Sequence, residues 1–295
     1  MELIHVKGDT YYLSAEEFIP LYKLDRKRCI LLDSGYDREW EGLVQALERW
    51  DLEPVGVFSS HAHRDHIGNN LALRQRYGTR LCLPRGEAAI CESVLLYKGV
   101  YDTYTPQALE RKYGGLIGRV DQVVEPDQTR VEFCGVPLEV IHTPGHTQDH
   151  ICTATPDGVC YVGDALLSGE VLANSRLPYH YVFEAAFQSM ERLAQTQYAA
   201  YIVAHKAVEA DIAPVARANR AGILACMEKI RALADEPVTF CELSRRTMEA
   251  QKLLTSKEDK AALYARGMRT IVEYMADAGL LEVTTLRGMR YYQGS

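Results

Sequence analysis

The chain has 295 residues, of which 47% are hydrophobic and 25% charged, with a formal net charge of -7. That length favours a large domain plus a small one, and the acidic balance argues against a broad nucleic-acid-binding surface. No apolar run approaches the ~18 residues needed to span a bilayer, and residues 1–8 lack the basic start and long apolar core of a signal peptide. The eight Cys include no C-x-x-C pair, so they read as reduced, mostly buried thiols of a cytoplasmic protein with no membrane partner.

In chain order, residues 10–13 form a short β-prone run, and 29–32 an apolar strand that stops at Asp33-Ser34-Gly35. Residues 41–50 carry Leu43, Ala46, Leu47 and Trp50 at helical spacing. The apolar run Val55-Gly56-Val57-Phe58 leads into Ser60-His61-Ala62-His63-Arg64-Asp65-His66-Ile67-Gly68-Asn69, with a helix expected from Ile67 to about Tyr77. Three of the chain's nine His and one Asp lie within six residues here. On an extended segment His61 and His63 project the same way, and Asp65 and His66 then turn to a neighbouring site. Imidazole and carboxylate together suit zinc, manganese or iron.

Residues 80–84 should be another strand. Residues 85–125 carry an aromatic surface (Tyr97, Tyr101, Tyr104, Tyr113) and read either as an insertion covering a site or as a helical connection. Strands at 131–134 and 138–142 surround a turn at Gly135-Val136-Pro137 and lead to the Pro144-Gly145 bend before His146. The strand 159–163 ends at Asp164. The aromatic loop Leu177-Pro178-Tyr179-His180-Tyr181 precedes a helix at 183–193, and the strand 201–204 ends at His205.

Beyond a helix at about 215–234, Ser256-x-x-Asp259 reads as a helix-capping box. Tyr264, Met268, Ile271 and Met275 form an apolar stripe that stops at Gly279, and Arg287-Gly288 joins two short strands. Helices followed by a β-wing have the outline of a winged helix. From Pro237 onward nine Lys and Arg stand against seven Asp and Glu, a weak balance for a reader of nucleic acid.

His61-x-His63-x-Asp65-His66-x-Gly68 resembles the signature of the metallo-β-lactamase-fold hydrolases. Thr143-Pro144-Gly145-His146-Thr147 resembles that family's second histidine motif, Val162-Gly163-Asp164 its bridging aspartate, and Ala204-His205 its last histidine. The likeness covers roughly residues 1 to 206 and implies an α/β fold: a four-layer αββα sandwich at 1–206, with 207–295 a small α+β, winged-helix-like domain. It implies two divalent metal ions per chain, zinc favoured over iron or manganese. His61, His63 and His146 would hold one, Asp65, His66 and His205 the other, with Asp164 bridging. Asp33 would support the metal loop from beneath, and His150 would orient ligands or substrate. Asp65 and His150 are therefore the candidate catalytic residues, and Tyr179 and His180 the candidate substrate-binding ones.

Position 63 is His and not the Glu of flavodiiron oxygen reductases, and position 164 is Asp where two-zinc β-lactamases carry Cys. About forty residues separate Asp164 from His205, too few for the insert of the family's nucleases. Arg64, Asp149 and the tail bring the chain closest to the β-lactamase-like protein 2 and glyoxalase II-like subgroup. The first functional expectation is a hydrolase using a metal-bridging hydroxide on a small-molecule thioester, ester or lactone. The second is a single-stranded RNA phosphodiesterase, and the third a ligand-sensing DNA-binding regulator. Nucleic acid is the disfavoured partner, and a homodimer is the assembly considered.

Overall fold

A computed structural model describes residues 1–295. One mixed sheet takes its strands in sequence order: β1 (Leu3–Lys7), β2 (Thr10–Leu13), β3 (Ile19–Lys23), β4 (Arg28–Leu32), β5 (Glu53–Phe58), β6 (Arg80–Pro84) and β7 (Gln122–Val124). It is antiparallel up to β4 and parallel from β4 to β7. The second sheet runs β8 (Arg130–Phe133), β9 (Val136–His142), β10 (Ile151–Ala154), β11 (Val159–Gly163), β12 (Ala200–Val203) and β13 (Ala207–Glu209), with only β11 and β12 parallel.

The layers follow from which side chains are apolar on both faces of a strand. Ile30, Leu32 and Phe58 of the first sheet meet Phe133, Leu138, Val140, Tyr161 and Ile202 of the second in one buried cluster. The opposite face of the first sheet, through Leu31 and Val57, is covered by Leu43 and Leu47 of α1 (Trp40–Arg49) and Leu73 of α3 (Asn70–Tyr77). The opposite face of the second, through Cys152, Val162 and Val203, is covered by Phe183 and Met190 of α8 (Phe183–Leu193) and by Ile223 and Met227 of α9 (Ala213–Ala232). Helices, sheet, sheet and helices make four layers, as expected for strands buried on both faces.

After α9 come β14 (Val238–Thr239), α10 (Phe240–Ala250), α11 (Glu258–Asp277), β15 (Leu281–Leu286) and β16 (Met289–Gly294), the strands pairing in the order β14-β16-β15. Met268, Ile271 and Met275 of α11 share the apolar cluster of α8 and α9. Arg287 and Gly288 both take positive φ, which closes the β15–β16 hairpin. Packing is continuous across the expected boundary at 206, because β13 extends the second sheet to Glu209. No helix is long and apolar enough to cross a membrane.

Several local expectations need correction. The helix after the His loop is split into α2 (Arg64–Ile67) and α3 at Asn69, which leaves helical geometry while its side chain donates to the Ser34 and Tyr36 carbonyls. Beside it Gly68 packs on the Gly35–Asp37 turn, where a Cβ would lie 2.3 Å from the Asp37 nitrogen and 2.5 Å from the Gly35 carbonyl oxygen. The β8–β9 turn is Cys134-Gly135, both at positive φ, and Pro137 lies within β9, beyond the stretch that pairs with β10. Ser256 does not cap α11; Lys257 is its N-cap residue without a side-chain bond, and Asp259 instead accepts from Tyr104 and Lys112. Residues 85–113 carry three helices, α4 (Arg85–Cys91), α5 (Val94–Tyr97) and α6 (Pro106–Tyr113), ahead of β7, and this segment packs against α11 through Tyr104, Lys112 and the Val100 carbonyl.

Candidate metal centre

The two sheets place their loops at one edge, where four chain segments deliver polar side chains. The loop after β5 brings His61, His63, Asp65 and His66. The bend after β9 brings His146, held against α8 because Gly145 at φ 134° has no Cβ to meet the Ala186 backbone nitrogen, which would lie 2.3 Å away. Asp164 follows β11, and His205 follows β12.

These atoms form two groups that share Asp164. In the first, Nδ1 of His63 lies 3.0 Å from Nε2 of His61 and 3.0 Å from Nε2 of His146, which is 3.3 Å from Oδ2 of Asp164. In the second, Oδ1 of Asp164 lies 3.3 Å from Nε2 of His66 and 3.1 Å from Nε2 of His205, and Oδ2 of Asp65 is 3.8 Å from Nε2 of His66. One Nδ1 cannot donate a single proton to two neighbouring nitrogens. Nε2 of His66 and Oδ1 of Asp164, both buried, also make no hydrogen bond despite their proximity. Lone pairs that converge without bonding each other fit cations, and nitrogen with carboxylate oxygen is the donor set of borderline divalent metals.

The charges agree. Burial holds His61, His63 and His146 well below the ordinary histidine range, in the neutral form that can act as a ligand. Burial also pushes His66 and His205 down, but the Asp164 carboxylate outweighs it, raising His66 well above its ordinary value and His205 to about 10. Asp164 is held far below the usual carboxylate range against the cost of burial, by His66, His205 and His146.

A ring of buried groups fixes the donors. Asp33, at φ 65° where β4 ends, accepts from the Ser60 backbone N–H and hydroxyl at 2.7 Å each, from His66 Nδ1 at 2.7 Å and from the Tyr161 hydroxyl at 2.7 Å. Glu17 brings Oε2 to 2.6 Å from His205 Nδ1. Glu87 accepts from the backbone N–H groups of Ala62 and Asp149. His150 pairs through Nδ1 with the Thr143 hydroxyl at 2.8 Å and through Nε2 accepts the Asp164 backbone N–H at 3.1 Å. It therefore positions the Asp164 backbone and lines neither of the two cavities that flank the donors.

Glu17, Glu87 and Tyr161 were not legible in the sequence. Glu17 lies in a loop and Glu87 opens an unremarkable helix, so neither carries a local signal. Tyr161 is one apolar strand residue among several, and only the sheet packing turns its hydroxyl toward Asp33.

Two cavities flank the donors. One of about 330 Å³ is lined by His63, Ile90, Leu96, Val100, Gln148 and Tyr179, and one of about 250 Å³ by His146, Asp164, Leu166, Leu172, Pro178 and His180. The Tyr179 ring lies 6.0 Å from His63 and 5.7 Å from His146, and it lines both. His180 is buried with Nδ1 unpartnered, its ring 5.9 Å from that of His146. Both candidate substrate residues thus stand at the centre, on the loop between α7 (Gly169–Asn174) and α8.

Comparison with known proteins agrees with this arrangement. The sequence profile described as Metallo-beta-lactamase superfamily matches residues 21–205. A hydroxyacylglutathione hydrolase of Rhizobium meliloti (strain 1021) is 28% identical over 152 residues, 51% of this chain and 47% of the relative. One from Microcystis aeruginosa (strain NIES-843 / IAM M-2473) is 31% identical, covering 53% of this chain and 52% of the relative. The chain spans about half the length of these curated relatives. A solved metallo-beta-lactamase family protein from Thermus thermophilus matches with a TM-score of 0.71 at 20% identity, over 97% of this chain and 98% of that one. A beta-lactamase domain protein from Burkholderia ambifaria matches with a TM-score of 0.71 at 16% identity, over 100% and 94%. At those identities the structural likeness is one of fold alone.

Proposed function

Because this chain belongs to the metallo-beta-lactamase superfamily, we propose that it is a hydrolase of small thioesters, esters or lactones that works with two divalent metal ions, zinc preferred. The single observation that carries this reading is Asp164, whose two carboxylate oxygens each face a different group of histidines. His61, His63 and His146 with Asp164 would hold one ion, and Asp65, His66 and His205 with Asp164 the other. Ions bound there supply Lewis acidity toward an acyl carbonyl and toward water.

The chain's own residues do the rest. Asp65, whose carboxyl is raised by burial, is placed at the edge of the second group to take the proton that attacking water gives up. Water oxygen adds to the acyl carbon, the carbon–sulfur or carbon–oxygen bond breaks, and the proton passes to the departing thiolate or alkoxide. Tyr179 and His180 line the same cavity as His146 and Asp164, where a hydroxyl or ring N–H can meet a developing oxyanion. His150 holds the Asp164 backbone in register. The relatives named hydroxyacylglutathione hydrolases support the thioester class in particular.

The test is a panel of thioesters, esters and lactones assayed on metal-free and zinc-loaded protein, beside elemental analysis. Zinc-dependent turnover of at least one class is expected. Undiminished turnover by metal-free protein would end the reading.

A further inference from the structure

We propose that this centre selects an uncharged substrate with an apolar group on each side of the scissile carbonyl, and that it discriminates against glutathione conjugates. The inference rests on the thioester reading above and names its substrate class.

The two cavities border different donors, one His63 and the other His146 and Asp164, with Tyr179 common to both. A carbonyl held at the donors therefore extends one substituent into each. Neither cavity is lined by any Lys or Arg. The larger has Ile90, Leu96 and Val100 in its wall, and the smaller Leu166, Leu172 and Leu177. Apolar lining with a few polar groups at one point is what a neutral ligand with one reacting carbonyl requires.

The mouth repeats the pattern. Leu95 is 72% exposed and Leu96 53%, and Tyr181 and Val182 across the opening are also exposed. Leu96 and Tyr181 belong to the wall of the larger cavity, so exposed apolar surface runs into it from outside. We assign the longer chain of the substrate to this side.

A glutathionyl group carries two carboxylates, which need cationic partners when they leave water. Arg266 of α11 lines neither cavity, although it faces Tyr179, which lines both. It lies 4.2 Å from the centroid of the Tyr179 ring and 5.1 Å from that of Tyr101, and it donates to the Val100 carbonyl oxygen. Its Nη1 is engaged with the wall segment, while its buried Nε has no partner, so Arg266→Gln tests whether it serves a substrate carboxylate.

The experiment uses full-length zinc-loaded protein with two matched pairs. Calorimetry compares the non-hydrolysable thioethers S-hexyl-N-acetylcysteamine and S-hexylglutathione, and kinetics compares the corresponding acyl thioesters from acetyl to hexanoyl. The neutral thioether should bind at least about tenfold tighter, and kcat/KM should rise roughly fourfold per added methylene, the value of burying one. Leu96→Glu, at a half-exposed position that does not threaten folding, should flatten that chain-length dependence. Equal or tighter binding of S-hexylglutathione, lost on Arg266→Gln, would overturn the proposal by showing that Arg266 serves substrate carboxylates. If the neutral thioether is preferred but no thioester is hydrolysed, the selectivity stands and the hydrolase reading falls.

Discussion

His66 donates from Nδ1 to Oδ2 of Asp33 at 2.7 Å, and this bond leaves its Nε2 directed at Oδ1 of Asp164. The same Asp33 oxygen also accepts from Ser60 and Tyr161. A strand end in the first sheet, the histidine loop and a strand of the second sheet are thus tied to one carboxylate. Outer partners of this kind fix the ring orientation and tautomer of a ligand.

Asp33→Ala is therefore expected to weaken retention of the metal at the Asp65, His66 and His205 group by roughly 10–100-fold. Competition with a chromophoric chelator measures it, and circular dichroism checks that the fold survives. Unchanged affinity in a folded variant would show that Asp33 is a plain strand-ending residue.

Asp164→Ala removes an oxygen from both groups. Wild-type protein purified without chelator should carry about two equivalents of divalent metal, and the variant should lose at least one and all turnover. His150→Ala should keep its metal and lose rate by roughly 10–100-fold, since His150 acts on the Asp164 backbone. Equal metal content in wild type and Asp164→Ala would contradict the bridge.

Burial pushes His150 and His180 down to about 4. In the unfolded chain such rings protonate near pH 6.5, so the unfolded state takes up protons first on acidification. Their folded-state values are depressed, so this stability is present in full above about pH 6.5 and is lost as pH falls toward about 4. His66 and His205 have the opposite sign: their contribution is complete below about pH 6.5 and fades as pH rises, through about 10 for His205. Urea melts of metal-free protein should show midpoints dropping between about pH 7 and 5, and His180→Phe should shallow that slope. An identical slope in the variant would remove His180 from the account.

Gly68→Ala should cost about 1–3 kcal/mol by overpacking and displace the histidine loop, because backbone and not a flexible side chain occupies the space. A thermal melt gives the first quantity and zinc content the second. A variant as stable and as metal-loaded as wild type would show that the Gly35–Asp37 turn yields easily.

Nucleic acid should bind only at the level of non-specific association, with Kd no tighter than about 1 μM near physiological salt. Of the tail's arginines, Arg266 donates to Val100 and Arg269 pairs with Asp102 at 2.8 Å, so both are engaged with the 85–125 segment. Titration of single-stranded RNA and duplex DNA at several salt concentrations measures this. Submicromolar binding with a steep salt dependence would favour the nuclease reading.

The candidate donors were legible through short local motifs and the family those motifs resemble. His61, His63, Asp65 and His66 lie within one turn of chain, and His146, Asp164 and His205 each follow a strand whose apolar run marks it. Alternation along an extended segment sets His61 and His63 apart from Asp65 and His66, while the family resemblance places His146, Asp164 and His205 with them. What the tertiary structure alone decided is what surrounds them. Glu17, Glu87 and Tyr161 sit far along the chain from the groups they hold, and no periodicity reports a contact made across two sheets. The Ser256 box misled for the same reason: Asp259 found stronger partners in Tyr104 and Lys112, on a segment whose packing against α11 no local pattern encodes. The selectivity of the two cavities is of this kind too, since the absence of cations from a wall is a property of how four distant segments close around it.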